Sequence, residues 1–415
     1  MLDVSIIRKD SDLVKKGLKA KNADAGLVDR FLELDEKWRG LNKQFDDLRA
    51  EQKKLGKEGK EKAIQLKSEL KKIEADLLVL DKMREEILGQ MPNLPLPSVI
   101  VGKDEKENKT IREVGEKSGL KNPKDYLTLA QELDLIDTER ASMVSGSRFG
   151  YLKGSAALLE FALVDLAMRT LLKEGFTPVI PPVLINEKSM RAMGYLERGK
   201  DEIYYLPSDN LYLVGTSEQS IGPMHMDEVF KEENLPKRYV SFSSCFRREA
   251  GSYGKDTKGI LRVHQFDKVE MFSLVKSEDS EKEHIFLLSL EEKLMQALEL
   301  PYRVLDICSG DLGDPAAAKY DIEAWMPGQN SGKGEYRETH STSNTTDFQS
   351  RRLNIKYKNS NGKLEFVHML NGTAFAMGRM IIAILENYQT EKGTIKVPPV
   401  LQNYLEIQEI IKSGI

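Results

Sequence analysis

The chain has 415 residues, of which 40% are apolar, 31% are charged and 7% are aromatic, and its formal net charge is −4. This length predicts two or three domains with a self-sufficient core, and it excludes a small module held together by disulfides. The composition is typical of a folded soluble protein, and the weak negative charge excludes a global field that attracts nucleic acid. A polyanionic partner must therefore bind at a local basic patch.

The cysteine content indicates a reducing compartment. Cys245 and Cys308 are the two cysteines, which excludes a disulfide framework and a cysteine-rich structural zinc site. The first ten residues lack the cationic leader and apolar run of a secretory signal. The longest apolar region, 156–172, is interrupted by three charged residues, so it does not predict a membrane span. We expect a cytoplasmic protein with no membrane partner and no structural zinc.

The first predicted elements are two long helices. Apolar residues recur every three or four positions from Leu27 to Leu55 and again from Leu66 to Ile87, with Met83 placed in the second series. This spacing is a heptad seam, and the glycine-containing segment 56–59 predicts a reversing turn. The sequence therefore predicts an antiparallel helical hairpin over about residues 27–90. Each arm of about 29 residues would extend roughly 43 Å and project into solvent.

The hairpin is basic although the whole chain is acidic. Its Lys and Arg residues exceed its Asp and Glu residues by roughly five near the turn. One interpretation of such a hairpin is a dimerisation or spacer element. The charge favours the other interpretation, a partner with a phosphate backbone.

The residue pattern of the sequence changes after the hairpin. Three prolines within residues 92–97 predict a stiff, extended connector. We therefore predict an N-terminal domain over residues 1–103 and a second domain over residues 104–415. The second domain shows an amphipathic helix near 155–173 and strand-like runs near 239–242 and 269–272, which favour an α+β antiparallel sheet flanked by helices.

The common catalytic motifs are missing from the second domain, since no phosphate loop, dinucleotide fingerprint, zinc-protease motif or nucleophile elbow occurs. Two other blocks stand out: one holds arginines and glutamates between two apolar strands, and the other places small residues beside an arginine just before a helix. The first covers 246–251 and 262–272, and the second covers 368–379. Taken alone, the first block is as compatible with a structural salt-bridged hairpin as with a functional site. The second block, taken alone, favours helix packing over a ligand site.

Together the two blocks resemble a known family. The Phe-Arg-x-Glu run at 246–249 and the small-residue segment ending at Arg379 resemble motifs two and three of class II aminoacyl-tRNA synthetases, and 175–182 resembles motif one. The three motifs would cover about residues 160–182, 240–272 and 366–388. Within that class, the basic hairpin and four further segments resemble seryl-tRNA synthetases; these segments are 146–152, 216–218, 263–266 and 347–352.

The resemblance implies a class II antiparallel sheet with an N-terminal coiled-coil arm. It also implies ATP-dependent activation of L-serine to seryl-adenylate and transfer of serine to the 3′ end of tRNA(Ser), with tRNA(Sec) left open as a second substrate. A homodimer is implied too. No side-chain nucleophile is needed, because the serine carboxylate attacks the α-phosphate and catalysis rests on alignment and charge neutralisation.

Residue roles follow from the resemblance, position by position. The catalytic residues would be Arg247, Glu249 and Arg379. The serine pocket would comprise Thr216, Ser217, Glu218, Glu270, Asn371 and Thr373. ATP would contact Arg247, Arg248, Glu249, Arg262, Val263, Phe266, Glu338, Thr339, His340, Ser341 and Arg379. Mg²⁺ would be held by Glu338 and Ser341. The tRNA would contact Lys53, Lys54, Lys57 and Lys60.

Some positions depart from the family pattern, and alternatives stay open. Gly215 replaces a bulkier residue, Ala374 replaces a glycine, and the loop 320–336 is longer, which leaves the shape of the serine pocket undecided. Another class II activity, threonyl, prolyl or carrier-loading, is one alternative function. A non-catalytic RNA-binding paralogue is the other.

Overall fold

The computed structural model describes residues 1–55, 60–251, 256 and 258–412. These residues divide into two compact units, Met1–Pro95 and Leu96–Ile415. The division falls inside the proline-rich connector, and the boundary predicted at residue 103 lies within the second unit. The turn predicted at 56–59 lies outside the described residues.

The first unit is helical. Its elements are α1 (Val4–Lys9), α2 (Ser11–Ala20), α3 (Gly26–Lys54) and α4 (Lys60–Gln90). Aspartates begin the short helices, because Asp3 accepts from the Ser5 amide and Asp10 accepts from the Leu13 amide. Helices α3 and α4 pack along each other, which confirms the predicted coiled-coil arm.

One position of the predicted seam is wrong. Met83 is 44% exposed, whereas the side chain of the next residue, Arg84, is only 12% exposed. The guanidinium of Arg84 pairs with Asp35, which is fully buried, and lies over the ring of Trp38. A buried ion pair therefore replaces an apolar contact near the base of the arm.

The second unit is built on an eight-stranded sheet. Its strand order is β1-β11-β12-β13-β16-β10-β9-β4, antiparallel except between β9 and β4. The strands of this unit are β1 (Lys109–Val114), β2 (Ile136–Asp137), β3 (Tyr151–Leu152), β4 (Thr177–Val179), β5 (Leu184–Asn186), β6 (Tyr205–Leu206), β7 (Leu211–Leu213), β8 (Val229–Lys231), β9 (Lys237–Phe246), β10 (Gln265–Val275), β11 (Tyr302–Asp306), β12 (Ala318–Met326), β13 (Glu335–Asn344), β14 (Lys356–Lys358), β15 (Leu364–Phe366), β16 (His368–Ala376), β17 (Ile395–Lys396) and β18 (Glu409–Ile410).

Helices flank this sheet, so the α+β class is confirmed. They are α5 (Tyr126–Leu133), α6 (Thr138–Ser145), α7 (Ser155–Lys173), α8 (Glu187–Met193), α9 (Glu218–Ile221), α10 (Ser280–Ala297), α11 (Gln329–Gly332), α12 (Phe348–Leu353), α13 (Met377–Asn387) and α14 (Pro399–Leu405). Helices α7, α10 and α13 contribute to the main hydrophobic core. No helix in the described part of the chain has the length and apolar character needed to cross a membrane.

The alternation of side chains along β10 separates the core from the opposite face of the sheet. Val269 and Met271 belong to the main core, whereas Lys268 and Glu270 line a cavity on the other face. This arrangement follows from the two-residue period of a strand. Charged residues can therefore occur on a strand that is otherwise apolar.

A register shift decides where Ala374 lies. Strands β10 and β16 pair Val269 with Phe375 and Glu270 with Thr373, with an irregularity between the two pairs. Ala374 is fully buried in the main core and is not among the residues that line the cavity. The departure from glycine at this position therefore leaves the cavity wall unchanged.

We expect Glu160 to make stability depend on pH. It lies on α7, and burial, followed by its hydrogen bond with Asp267 on β10, raises the pKa of Glu160 to about 8 from an ordinary value of 4.5. The folded state therefore binds this proton more tightly than the unfolded state, and the stabilisation is lost as the pH rises from 4.5 towards 8. Glu160→Gln mimics the protonated acid. The Tm of this variant relative to that of the wild type should therefore increase as the pH rises from 5 to 8. Parallel Tm curves would contradict this role, and Glu139→Gln on exposed α6 is the control.

Candidate active site

A cavity of about 700 Å³ lies on the face of the large sheet opposite the main core. Side chains from β10, β12, β13 and β16 line it, together with the segment after β9 and the beginning of α13. The structure brings fourteen predicted site residues together in its lining: Thr216, Glu218, Arg247, Glu249, Arg262, Val263, Phe266, Glu270, Glu338, Thr339, Ser341, Asn371, Thr373 and Arg379.

Three of the residues predicted to bind serine or ATP do not line this cavity. The guanidinium of Arg248 lies over the ring of Tyr204, and Ser217 accepts a hydrogen bond from Ser241 beneath the loop. The ring of His340 packs edge-on against Phe375 in the core. His340 lies on β13, where successive side chains point to opposite faces of the sheet, whereas Arg248 and Ser217 lie in irregular segments after β9 and before α9.

Arg247 and Phe266 form one wall. The guanidinium of Arg247 lies 5.2 Å from the centre of the Phe266 ring, and its Nε donates to the Gly215 carbonyl at 3.2 Å. A Cβ built on Gly215 would lie 3.5 Å from the nearest heavy atom, which is ordinary contact. A Cβ at position 215 would therefore be tolerated, and the glycine leaves this part of the cavity wall without a side chain.

Glu249 and Arg262 form an ion pair at the next part of the wall. Arg262 Nη1 donates to Glu249 Oε2 at 2.7 Å. Glu249 has a φ of 52°, a left-handed conformation that is uncommon for a residue with a side chain and concentrates at functional sites. The pair fixes both side chains at the cavity.

Arg379 and Glu338 face the cavity from α13 and β13. Arg379 Nη1 donates to the Glu338 carbonyl at 2.9 Å and lies 3.3 Å from its Oε1. Burial by itself raises the pKa of Glu338, but the charges of Arg379, Lys319 and Arg247 lower it below its ordinary value. Glu338 is therefore a carboxylate at neutral pH, beside the Ser341 hydroxyl in the same lining.

A second group of polar side chains lies on β10 and β16. Lys268 Nζ is 2.6 Å from Glu270 Oε2, and Thr373 Oγ1 donates to the same oxygen at 3.2 Å. All three residues are buried. Such a cluster suits a small polar ligand, because an apolar ligand would leave its donors and acceptors unpaired.

The loop 216–218 supplies the other side of this group. Glu218 accepts from Gln349 Nε2 at 2.6 Å and from the Tyr195 hydroxyl at 3.1 Å. Burial raises the pKa of Glu218, against the lowering effect of Gln349. Thr216 Oγ1 is buried and has no hydrogen-bond partner among the described residues. It is therefore an open position for a ligand donor.

Two lysines of the cavity lining were not predicted as site residues from the sequence. Lys268 lies two residues from both Phe266 and Glu270 on β10, so the two-residue period of the strand places all three on one face and could have identified it. Lys319 lies on β12, with Nζ 3.1 Å from Asp321 Oδ2. Nothing in the sequence near Lys319 resembles a motif, and only the pairing of β12 with β13 brings it to the cavity.

The arrangement is suited to joining two anionic groups. Arg247, Arg262 and Arg379 place positive charge around a space bounded by an aromatic ring, while the cluster at Glu270 can bind a small polar molecule. Guanidinium groups bind phosphates and carboxylates in a bidentate manner. Alignment and charge neutralisation are what phosphoryl and acyl-adenylate chemistry requires of a protein.

The comparisons assign a class to this architecture. Residues 204–388 match the family model described as the tRNA synthetase class II core domain (G, H, P, S and T). The fold and the cavity therefore define a class II aminoacyl-tRNA synthetase.

Relatives narrow the assignment further. Residues 1–95 match the model of the seryl-tRNA synthetase N-terminal domain. The chain is 47% identical to a serine–tRNA ligase of Dictyoglomus thermophilum, with 99% of each chain covered. It is similar to seryl-tRNA synthetase from Pyrococcus horikoshii complexed with ATP, with 39% identity, full coverage of both chains and a TM-score of 0.93. The chain belongs to the seryl-tRNA synthetase family.

A further solved structure agrees. Cytoplasmic serine–tRNA ligase from Naegleria fowleri in complex with AMP is 34% identical, with a TM-score of 0.90 and coverage of 100% of this chain and 99% of that chain. The threonyl, prolyl and carrier-loading alternatives are therefore not retained.

Proposed function

We propose that this chain activates L-serine with ATP and transfers the seryl group to the 3′ end of tRNA(Ser), as a serine–tRNA ligase. The observation that carries the proposal is the position of the Glu270–Thr373 cluster in the same cavity as Arg247 and Arg379. The cavity thus offers a pocket for a small hydroxylated amino acid beside a site for phosphates. Membership of the seryl-tRNA synthetase family supports it.

In the first step a serine carboxylate oxygen forms a bond to the α-phosphorus of ATP, and the bond from that phosphorus to the bridging oxygen of pyrophosphate breaks. The electron pair leaves with pyrophosphate. Arg247 would hold the carboxylate and the α-phosphate together, and Arg262 and Arg379 would neutralise the terminal phosphates. Phe266 would stack on one face of adenine and Arg379 on the other, and Glu249 would accept from the adenine amino group. Each role depends on charge or shape that is already fixed by neighbours.

The serine end is assigned by its hydrogen-bonding groups. Thr216 Oγ1, which lacks a partner in the described chain, and Glu218 would bind the ammonium group. Glu270 and Thr373 would bind the hydroxyl group. A pocket built to pair a hydroxyl rejects alanine strongly, because its own groups would remain buried and unpaired.

The residues present fit a magnesium ion that enters with ATP. Mg²⁺ prefers oxygen ligands and is usually bound by one or two carboxylates together with substrate phosphates. Glu338 is an ionised carboxylate beside Ser341 in the lining, and these two residues would hold the ion. The ion would supply charge neutralisation on the phosphates.

The arm would bind tRNA through its basic end. Lys53 and Lys54 are exposed at the end of α3. Lys60 is the first residue of α4, and Lys57 lies outside the described residues. Lysine side chains at such positions bind phosphates without base specificity.

An apolar surface in the second unit supports a homodimer. The exposed fractions are 69% for Phe161 and 55% for Leu158 on α7, and 72% for Ile180 after β4. Leu158 and Phe161 are three residues apart and share a face of α7, and large exposed apolar side chains on one face often mark an interaction site. A second copy of the chain would cover it. The two free cysteines are both buried, which suits a reducing compartment such as the cytoplasm.

Pyrophosphate exchange with each amino acid tests the proposed activity. Exchange should require L-serine and be at least about 10³-fold weaker with alanine, because the missing hydroxyl leaves polar groups unpaired. Thr373→Val should raise the KM for serine with a smaller change in kcat. Exchange supported by threonine or proline but not by serine would overturn the assignment.

A further inference from the structure

The strongest unexplained feature outside the cavity is a buried ionic cluster in the first unit. Asp35 on α3 is fully buried. Arg8 of α1 donates to it through Nε at 2.8 Å and Nη2 at 2.7 Å. Arg84 of α4 donates to it at 2.7 Å, and Arg39 of α3 at 3.1 Å. One carboxylate therefore links three helices.

Arg84 is the least exposed of the three arginines. Its side chain is 12% exposed, against 39% for Arg8 and 54% for Arg39. Its guanidinium carbon lies 4.3 Å from the centre of the Trp38 ring and 5.6 Å from that of Phe31. Arg84 is thus held by an ion pair and by aromatic faces together.

The charges of the cluster are mutually dependent. Burial by itself would raise the pKa of Asp35, but hydrogen bonds from Arg8 and Arg84 lower it below its ordinary value. Removing one partner of a buried charge pair is costly, because the remaining charge stays buried without compensation. In several proteins, buried polar or ionic groups specify one structural arrangement rather than add stability.

Because the cluster lies near the base of the arm, the far end of α3 is sensitive to small rotations at the cluster. Lys54 lies about 28 Å further along the helix axis than Asp35, at about 1.5 Å per residue, so a rotation of about 10° at the cluster displaces that end by about 5 Å. Hydrogen bonds tolerate displacements of roughly 0.5 Å. A small change of angle at the base would therefore abolish contacts at the end.

We propose that the Asp35 cluster, formed with Arg8, Arg39 and Arg84, is a positioning element. It fixes the direction of α3 and α4 relative to α1, and tRNA charging depends on that direction. The cluster has no part in serine activation. The inference rests on the proposed role of the arm in binding tRNA. Arg84 and Asp35 act through the arm and need not touch the tRNA.

The test measures two activities and one geometry. In Arg84→Met, which keeps apolar contact with Trp38, kcat/KM for tRNA in aminoacylation should fall at least about 10-fold through KM. Serine-dependent pyrophosphate exchange should stay within about twofold of the wild type. Asp35→Asn should act in the same direction, and Arg84→Lys should recover part of the loss. Arg30→Met on α3, which removes an exposed ion pair with Asp24 just before that helix, is the matched control.

Spin labels report the arm direction independently of catalysis. Cysteines introduced at Lys9 and Gln44, both exposed, can be labelled selectively because the native cysteines are buried. The distance distribution between the labels should broaden in Arg84→Met and not in Arg30→Met. Unchanged charging together with an unchanged distribution in Arg84→Met would overturn the inference, and so would an equal loss of exchange and charging. Failure of this inference can be distinguished from failure of the proposed tRNA-binding role of the arm. If the arm did not bind tRNA, its removal would leave charging intact.

Discussion

Replacing residues 41–80 with a short flexible linker is expected to abolish tRNA charging while serine-dependent pyrophosphate exchange stays within about twofold of the wild type. The deletion removes the basic end of the arm and leaves Asp35, Arg39 and Arg84 in place. All residues of the cavity belong to the second unit, so serine activation should not depend on the deleted part. We expect kcat/KM for tRNA to fall by about 10³-fold or more, since several phosphate contacts are lost together.

The salt dependence of charging locates the contribution of the lysines. Each phosphate contact adds about 0.7–0.9 to the slope of log affinity against log salt concentration. Lys53→Met with Lys54→Met should therefore reduce the slope by about 1.4–1.8 while exchange is unaffected. Lys392→Met with Lys396→Met, exposed in the second unit, is the matched control. Full charging by the deletion variant would show that the arm is a spacer.

Arg247→Met is expected to lower serine-dependent pyrophosphate exchange by about 10³-fold, equivalent to roughly 4 kcal/mol of transition-state stabilisation. The guanidinium would neutralise charge that develops on the α-phosphate and would align the serine carboxylate with it. Arg247 is exposed, and its contacts are with the Phe266 ring and the Gly215 carbonyl. Its truncation should therefore leave the Tm within about 2 °C of the wild type.

The lysine variant separates charge from geometry at this position. Arg247→Lys keeps the positive charge and loses the bidentate fork, so exchange should be intermediate between the wild type and Arg247→Met. Arg303→Met, which breaks an ion pair with Glu323 on the same sheet, should leave exchange within about twofold. A loss of less than tenfold in Arg247→Met would exclude Arg247 from the transition state.

Local patterns predicted the individual elements well. Helix α7 has the predicted bounds of 155 and 173, and the predicted strands lie inside β9 and β10. The heptad pattern likewise predicted both helices of the arm. These elements could be predicted because helix and strand periods depend on backbone geometry, and apolar residues at those periods mark the buried face.

The cavity was predictable only in part. The residues of the motif-like segments could be named from the resemblance, since their types and order are specific. Lys319 could not, because its place beside Glu338 depends on how β12 pairs with β13. His340 shows the converse, since a motif names consecutive residues although neighbours on a strand face opposite sides.

The sequence by itself determined the class of the fold, the helical arm with its basic end, and the arginines and carboxylates available for chemistry. These follow from composition, from periodicity and from the order of the motif-like segments. The tertiary structure alone decided that Arg84 replaces Met83 in the seam, that Ala374 belongs to the core, and that Lys319 enters the cavity. Each of these depends on strand register or on a partner distant along the chain, and local periodicity carries no information about distant partners.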